Sequence, residues 1–479
     1  MRICVLQPDY STTGVDYKNY DPPRNLSSLL PEDTVDHVFL NKLTTYKQLL
    51  ALSKQQYDCF VNLCEGYLEW EVPSIDVIHS LDLLNLPYTG PNVHTYDPTK
   101  ELMKYVSYTE EVKTPAYVLI DTNSDILQET AYLNFPLFVK PAKAGDSLGI
   151  DESSMVQNQT ELIEKCHSLL EEYPELLIEN YIAGREFTVL LAADAERPKQ
   201  PIIYPPVEYI FPQGKHFKTY SLKTSELHPA SNVIVTDSEI IEKLSDAARK
   251  IFNSFGGIGY ARLDFRMNNE GVIYFLEINF TCSVFYSDGY EGSADYILKA
   301  DKEGPSGFLK QIIKEGIARH KSKQKKYRMK GNSISGYGIY ATQPMERGEF
   351  IFRGEEKPHQ LITLKWMEQH WNERDKRLFS QYALPVSSEI YIIWDEDPSL
   401  WAPQNHSCRP NTIYDGLNVI ALRNIEAGEE LTLDYSHLLD EHAEPFDCNC
   451  GAPQCKKKIR GDKENSFTYK EIQRRRLSH

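Results

Sequence analysis

The sequence predicts a multi-domain protein: an α/β (α+β) module followed by a mostly β module that ends in a cysteine-rich, metal-binding segment. Three observations predict it. At 479 residues the chain is long enough for two to four separately cored domains. Its charge is split, with a net of −19 over residues 1–318 and +2 from Arg319 onward. Finally, short β-branched and aromatic runs punctuated by Gly336, Gly338, Gly348 and Gly428 follow residue 331 and lead into the stretch DCNCGAPQC. A hydrophobic fraction of 41% and a charged fraction of 25% are those of an ordinary soluble protein. No apolar run approaches the roughly 18 residues of a membrane span, and MRICVLQPDY is broken too early, by Pro8 and Asp9, for a secretory signal. The expectation is a cytoplasmic protein, with a nuclear location left open by its basic runs. In a reducing compartment nine cysteines read as core residues and metal ligands rather than disulfides. A net charge of −17 disfavours nucleic-acid binding, which needs a continuous basic surface.

In the first module, apolar strands (RICVLQ, DCFVNLC, FPLFVKP, LLIENYI, EFTVLLAA) alternate with longer helical stretches, as in layered α/β folds. One helix is expected in SEIIEKLSDAARKIFNSFGG, where Ile241, Leu244, Ala248, Ile251 and Phe255 recur at helical spacing and Gly256 and Gly257 supply the stop.

The chemistry begins just after it, in YARLDFRMNNEGVIYFLEINF. Two alternating runs flank the turn NNEG, which predicts a hairpin with a four-residue loop, Met267 facing Val272 and Arg262 facing Glu277. The period of two then puts Arg262, Asp264, Glu277 and Asn279 on one face. Convergent carboxylates and an amide suit magnesium, which commonly shares carboxylates with nucleotide phosphates; a solvated face with a cross-strand ion pair is the other reading.

Seven segments in order and in register resemble the ATP-grasp ligases of the D-alanine:D-alanine ligase family: VNLCEG (61–66), LPYTGPNVHTYDPTK (86–100), FPLFVKPAKAGDSLGI (135–150), LLIENYIAGREFTV (176–189), FKTYSLKTSELHPA (217–230), ARLDFR and LEINF. The resemblance implies that Lys100, Lys140 and Lys218 approach the ATP phosphates and that AKAGDSLG closes over them. It further implies that Glu179, Asn180, Tyr181 and Ile182 line the adenine, that Glu186 holds the ribose, and that Asp264, Glu277 and Asn279 carry magnesium. The implied reaction phosphorylates a carboxylate and lets an amine displace phosphate from the acyl phosphate, with Arg262 steadying the tetrahedral intermediate. Two segments depart from the family: QPDYSTTG near the N-terminus and FTC (280–282) after Asn279. Both touch the amino-acid pocket, so the implied substrate is an amino-acid or peptide carboxylate as a class.

The seam, RHKSKQKKYRMKG (319–331), has seven basic and no acidic residues and reads as a solvated linker. Beyond it Cys448, Cys450 and Cys455 are one ligand short of a tetrahedral zinc site, and Cys408 is the module's only other cysteine. The order SGYGIYATQPMERGEFIF, WAPQNHSCRPNTIYDG, GEELTLDY, then the cysteine cluster resembles a SET domain with a post-SET segment, the S-adenosylmethionine-dependent lysine methyltransferases. The resemblance implies that Cys408, Cys448, Cys450 and Cys455 hold one zinc, that Gly336, Tyr337 and Gly338 pack against the methyl donor with Asn405 and His406 opposite, and that Tyr435 is the active-site tyrosine. Leu433 stands where the family often has an aromatic residue governing methylation state. Trp366, Trp371 and Phe379 are expected to be core.

The boundaries read from sequence are 1–100 and 101–318 for the two parts of the ATP-grasp module, 319–330 for a basic linker, 331–440 for the SET domain and 441–479 for the zinc segment and tail. The expected protein is bifunctional, using ATP, magnesium, S-adenosylmethionine and zinc. Its partners are a small amino acid or peptide and a protein lysine, without nucleic acid or membrane; a homodimer is left open. The second reading is a protein-lysine methyltransferase whose ATP-grasp half only senses nucleotide or docks substrate.

Overall fold

A computed structural model describes residues 1–462 except 14–20, 67–70, 144–147, 215, 218–230, 334, 358, 388 and 395–403. The chain forms two compact units, Met1–Lys323 and Gln324–His479. Among the described residues no helix is long and apolar enough to cross a membrane.

The first unit opens with a parallel sheet of β1 (Arg2–Pro8), β2 (Thr34–Leu40) and β3 (Cys59–Asn62) in the order β2-β1-β3. β1 and β3 are buried along nearly their whole length, which is why both read as continuous apolar runs. Helices α1 (Thr45–Leu52) and α2 (Ile75–Leu83) accompany this sheet. Next comes α3 (Lys100–Thr109), whose Thr99 cap accepts a hydrogen bond from the Leu102 N–H at 3.2 Å.

A second, antiparallel sheet has the order β4-β7-β5-β6, from β4 (Tyr117–Asp121), β5 (Leu137–Pro141), β6 (Met155–Val156) and β7 (Glu175–Asn180), with α4 (Gln159–Leu170) packed on β5, β6 and β7. The third sheet comprises β8 (Arg185–Ala192), β9 (Ile202–Ile203), β10 (Val207–Tyr209), β11 (Asn232–Ile234), β12 (Tyr260–Met267) and β13 (Ile273–Asn279). Its order is β11-β10-β8-β12-β13, with β9 pairing β8. Helix α5 (Ser238–Ser254) covers this sheet through Ile240, Leu244, Ala247, Ala248, Ile251 and Phe252. Ile240 rather than Ile241 is the buried isoleucine at its start, and Phe255 and Gly256 end it, the glycine at φ +98°.

The β12–β13 pairing differs from the sequence register. Met267 faces Ile273, and after an irregularity beside Asp264 the partners become Asp264 with Glu277 and Arg262 with Asn279. A β-bulge at Leu276 adds one residue to β13 and shifts the partners of everything beyond it. The four polar residues nevertheless share a face as two direct pairs.

Helices α6 (Ser293–Ala300) and α7 (Gly304–Lys323) finish the unit. The basic stretch 319–331 is therefore not linker throughout: its start completes α7 and its end forms a strand. Arg319 is nearly buried, donates to the Tyr88 carbonyl at 2.8 Å and lies over the Tyr88 ring, which ties it to the first unit.

The second unit is built of small sheets. β14 (Tyr327–Asn332), β15 (Gly336–Ala341), β20 (Asn405–His406) and β23 (Glu430–Leu433) have the order β14-β15-β23-β20. β16 (Phe350–Phe352), β21 (Thr412–Asp415) and β22 (Asn418–Ala421) form a second sheet, and β17 (His359–Thr363), β18 (Leu384–Pro385) and β19 (Ile390–Trp394) a third. β24 (Phe446–Asp447) pairs with β25 (Lys458–Ile459) across the cysteine segment. Two helices, α8 (Leu364–His370) and α9 (Glu373–Tyr382), interrupt the strands. Phe379 is buried there with Ile362 and Tyr391, and Trp371 meets its edge. Trp366 is not core: it is 53% exposed on the first turn of α8, stacked on His370 at 3.7 Å.

Candidate functional site

The second and third sheets of the first unit face each other across a cleft. Lys100, Lys140, Glu179, Asn180, Tyr181, Ile182, Glu186, Arg262, Asp264 and Glu277 all line it. Lys218 lies outside the described residues. Asn279 reaches the group through Glu277, its amide donating to Glu277 Oε1 at 3.3 Å.

At one end of the cleft, Asp264 and Glu277 sit opposite one another on β12 and β13. Arg262 Nη2 donates to Asp264 Oδ2 at 3.0 Å, the Thr188 hydroxyl donates to Asp264 Oδ1, and Lys100 Nζ lies 3.7 Å from Glu277 Oε2. Burial opposes the Arg262 charge, yet Asp264 and its neighbours raise the guanidinium pKa, so the arginine stays charged. Two carboxylates and an amide oxygen form a hard-oxygen donor set that suits magnesium.

Glu179 is buried between two lysines, with Lys104 Nζ and Lys140 Nζ each 2.6 Å from one of its oxygens. Burial pushes its pKa up, but the lysines outweigh burial and bring the carboxyl from an ordinary 4.5 down to about 2. Lys140 is raised, burial being outweighed by Glu179 and Glu277; Lys104, the more enclosed and with like-charged Lys140 and Lys100 nearby, is lowered, chiefly by burial. Because the folded Glu179 pKa is depressed, its stabilisation is present above pH 4.5 and is lost as pH falls toward 2. Replacing Lys104 by methionine leaves a buried carboxylate with one cation and should cost about 3 kcal/mol. Melting followed from pH 6 to pH 2 tests this: the variant should lose stability at a higher pH than the parent.

At the other end, Phe138 stands 6.3 Å from the Tyr181 ring and 5.0 Å, edge on, from Phe217, giving an aromatic sleeve. Two basic residues escaped the sequence reading, Arg266 in the cleft wall and Lys104 buried behind Glu179. Lys104 is one helical turn beyond Lys100, and Arg266 continues the alternate row of Arg262 and Asp264 by one more step; extending either period would have found them.

Tyr10 of the first departing segment and Ser283, Val284 and Tyr286, just after the second, meet around Asp21, Arg24 and Glu65. The order β2-β1-β3 reverses direction at β1, and in open parallel sheets ligands lie beyond the strand ends at such a point. Beyond those ends Arg24, its side chain 1% exposed, holds Asp21 at 3.2 Å and Glu65 at 3.4 Å and donates to the Leu63 and Val284 carbonyls. Tyr10 and Tyr286 donate to Asp21, and Ser283 donates to Glu65 at 2.8 Å. Burial lifts the Glu65 pKa to about 7 despite Arg24.

In the second unit, β23 lies between β15 and β20, bringing the glycine motif and the NHSC motif into one sheet. Asn405 Nδ2 donates to the Tyr337 carbonyl at 2.6 Å and to Glu430 Oε1 at 2.8 Å. A Cβ at Gly338 would stand 2.3 Å from that same Glu430 oxygen, so a larger residue there would push the Glu430 carboxylate off Asn405. The Tyr435 N–H donates to His406 Nδ1 at 3.0 Å, and the Tyr435 hydroxyl donates to the Gln404 carbonyl.

His406, Cys408, Cys448 and Cys450 bring one ligand atom each within 4.8 Å of the others. Cys455 stands beside them, its Sγ 3.5 Å from the Cys448 carbonyl oxygen. The histidine tautomer decides its part. Because Nδ1 accepts from Tyr435, and burial keeps the ring neutral by lowering its pKa, the proton is on Nε2, 3.3 Å from Cys408 Sγ. His406 therefore donates to the sulfur as a supporting contact. The donor chemistry of the four cysteines, with the Lys456 and Lys457 N–H groups directed at Cys408 and Cys455, fits zinc.

A cleft of lysines and paired carboxylates in the first unit, and a glycine and NHSC sheet in the second, suit a two-module chain of nucleotide-ligase and methyl-donor type. Comparison with known proteins gives the families. Residues 111–285 match the family model described as D-ala D-ala ligase C-terminus, and residues 336–436 match the SET domain model. A D-alanine--D-alanine ligase of Aquifex aeolicus is 29% identical over 202 residues, covering 42% of this chain and 64% of that protein. One from Fervidobacterium nodosum is 28% identical over 275 residues, covering 53% and 79%. The crystal structure of the Bacillus anthracis D-alanine--D-alanine ligase complexed with ATP is 21% identical, with a TM-score of 0.49, covering 68% of this chain and 99% of that one. The chain thus joins an ATP-grasp module related to the D-alanine:D-alanine ligases to a SET domain, and spans just under two thirds of the Aquifex relative.

Proposed function

We propose that the protein carries two activities: an ATP-dependent carboxylate-amine ligase in the first unit and an S-adenosylmethionine-dependent lysine methyltransferase in the second. The observation that supports the ligase is the convergence of Lys100, Lys140, Arg262, Asp264 and Glu277 in one cleft. Magnesium held by Asp264, Glu277 and Asn279 would neutralise charge on the transferring phosphoryl group. Lys100 and Lys140 add fixed positive charge at the phosphates, Glu179 to Ile182 take the adenine, and Glu186 takes the ribose. Lys218 belongs to the same set by its motif.

The substrate carboxylate attacks the γ-phosphorus, ADP leaves, and the amine then displaces phosphate from the acyl phosphate. Arg262, pinned by Asp264, faces the oxyanion of that second step. Nη1 and Nη2 of Arg24 are taken up by Asp21, Glu65 and the Leu63 and Val284 carbonyls, and Asp21 and Glu65 are the carboxylates beside it that read the substrate. One cation against two carboxylates suits an ammonium-bearing substrate, an amino acid or peptide. Trapping tests the reading: with MgATP and a mixture of amino acids, hydroxylamine should yield a hydroxamate together with ADP, and absence of both would refute an acyl phosphate.

In the second unit the methyl donor lies against Gly336 to Gly338 and Asn405, and zinc held by Cys408, Cys448, Cys450 and Cys455 fixes the C-terminal segment. Methyl transfer needs a neutral amine aligned with the methyl carbon in a dry channel. Tyr435, its hydroxyl held by the Gln404 carbonyl, is placed to orient that amine. Tyr435→Phe should lower transfer of labelled methyl by about a hundredfold without changing methyl-donor binding.

A further inference from the structure

Arg266 is an unusual side chain for its position. It sits mid-sheet on β12, directly opposite Glu186 of β8, with 5% of its side chain exposed. A residue chosen for packing there would be apolar, because a buried guanidinium must find acceptors for five donors. Arg266 spends them on three acceptors in two chain segments. Nη1 lies 3.5 Å from Glu186 Oε2, while Nη2 donates to the Gly184 carbonyl at 3.1 Å and to the His216 carbonyl at 3.0 Å. The guanidinium lies over the Tyr181 ring at 4.7 Å, and the Tyr181 hydroxyl donates to the same His216 carbonyl at 2.9 Å. Nε is buried and has no hydrogen-bond partner among the described residues. Such a costly arrangement points to the cleft rather than to stability.

We propose that Arg266 is a positioning residue: it fixes Glu186 toward the sugar hydroxyls of the bound nucleotide and couples that contact to the placement of His216 and Phe217. This rests on the reading of the cleft as a nucleotide site. A planar fork is required, because one group must meet a carboxylate, two carbonyls and a ring face together. Lysine can keep the charge beside Glu186 but cannot bond both carbonyls. Phe217, edge on to Phe138, is the wall that the His216 bond holds over the adenine end.

Calorimetric titration of the full chain with ATP, 2′-deoxy-ATP and 3′-deoxy-ATP, in magnesium, tests this. The parent should bind ATP about tenfold more tightly than at least one deoxynucleotide, the range expected for a hydrogen bond to a charged acceptor. Arg266→Leu should bind ATP about tenfold more weakly and discriminate between the sugars by less than about twofold. Arg266→Lys should recover the sugar discrimination yet show faster hydrogen exchange than the parent at residues 211–217 with nucleotide bound, an effect a merely structural role does not separate. Unchanged affinity and discrimination in Arg266→Leu overturns the proposal and leaves the nucleotide site standing. If Arg266→Leu does not fold, Arg266→Lys decides, and parental exchange at 211–217 overturns the coupling. If the parent binds no nucleotide, the cleft reading falls and the proposal with it.

Discussion

Asp264→Asn should lower ATP-dependent turnover by about a thousandfold, roughly 4 kcal/mol of transition-state stabilisation. The substitution keeps the size of the side chain and the acceptor that the Thr188 hydroxyl uses. What it removes is one of the two carboxylates that face each other across β12 and β13, and with it the counter-charge of Arg262. Arg262 and the new amide are then two donors facing each other, and Glu277 alone supplies charge for magnesium. ATP binding measured with and without magnesium separates the causes. The magnesium-dependent part of the affinity should disappear in the variant, and the part measured without metal should remain.

Loss of zinc should have the second-largest effect. Cys450→Ser, or prolonged chelation, is expected to lower methyl transfer by more than about a hundredfold and to lower the melting temperature of the second unit, because zinc-thiolate binding is folding energy in small segments. Two contacts link the cysteine segment to Tyr435 and its neighbour Asp434. β24 and β25 bracket the cysteines, and Phe446 of β24 packs at 5.8 Å from the His406 ring and 6.1 Å from the Tyr435 ring. Lys456, next to Cys455, holds Asp434 at 2.9 Å, one residue before Tyr435. Releasing the cysteines frees both contacts. Zinc content by mass spectrometry should be one per chain in the parent, and nucleotide binding in the first unit should be unaltered by the substitution.

The shared face of Arg262, Asp264, Glu277 and Asn279 was legible because strand alternation survives an error of register, provided the error is made good by a bulge. The pairing itself was not, since nothing in VIYFLEIN marks Leu276 as the extra residue. Lys104 and Arg266 show a different limit. Each continues a visible period, but a lone basic residue reads as a solvated one until Glu179 or Glu186 is seen buried against it. The tautomer of His406 depends on a backbone N–H 29 residues away, which no spacing rule carries. Trp366 misled because a large aromatic is usually core; the first turn of α8 points it away from Ile362, Phe379 and Tyr391.

Phosphate release from MgATP by the purified chain, over a matrix of amino-acid pairs with Asp264→Ala as control, tests the central claim most directly. The account predicts release that depends on a particular pair, a product whose mass is the sum of the two minus water, and no release from the variant. Nucleotide binding without release for any pair would contradict it, and would make the first unit a nucleotide sensor attached to a methyltransferase.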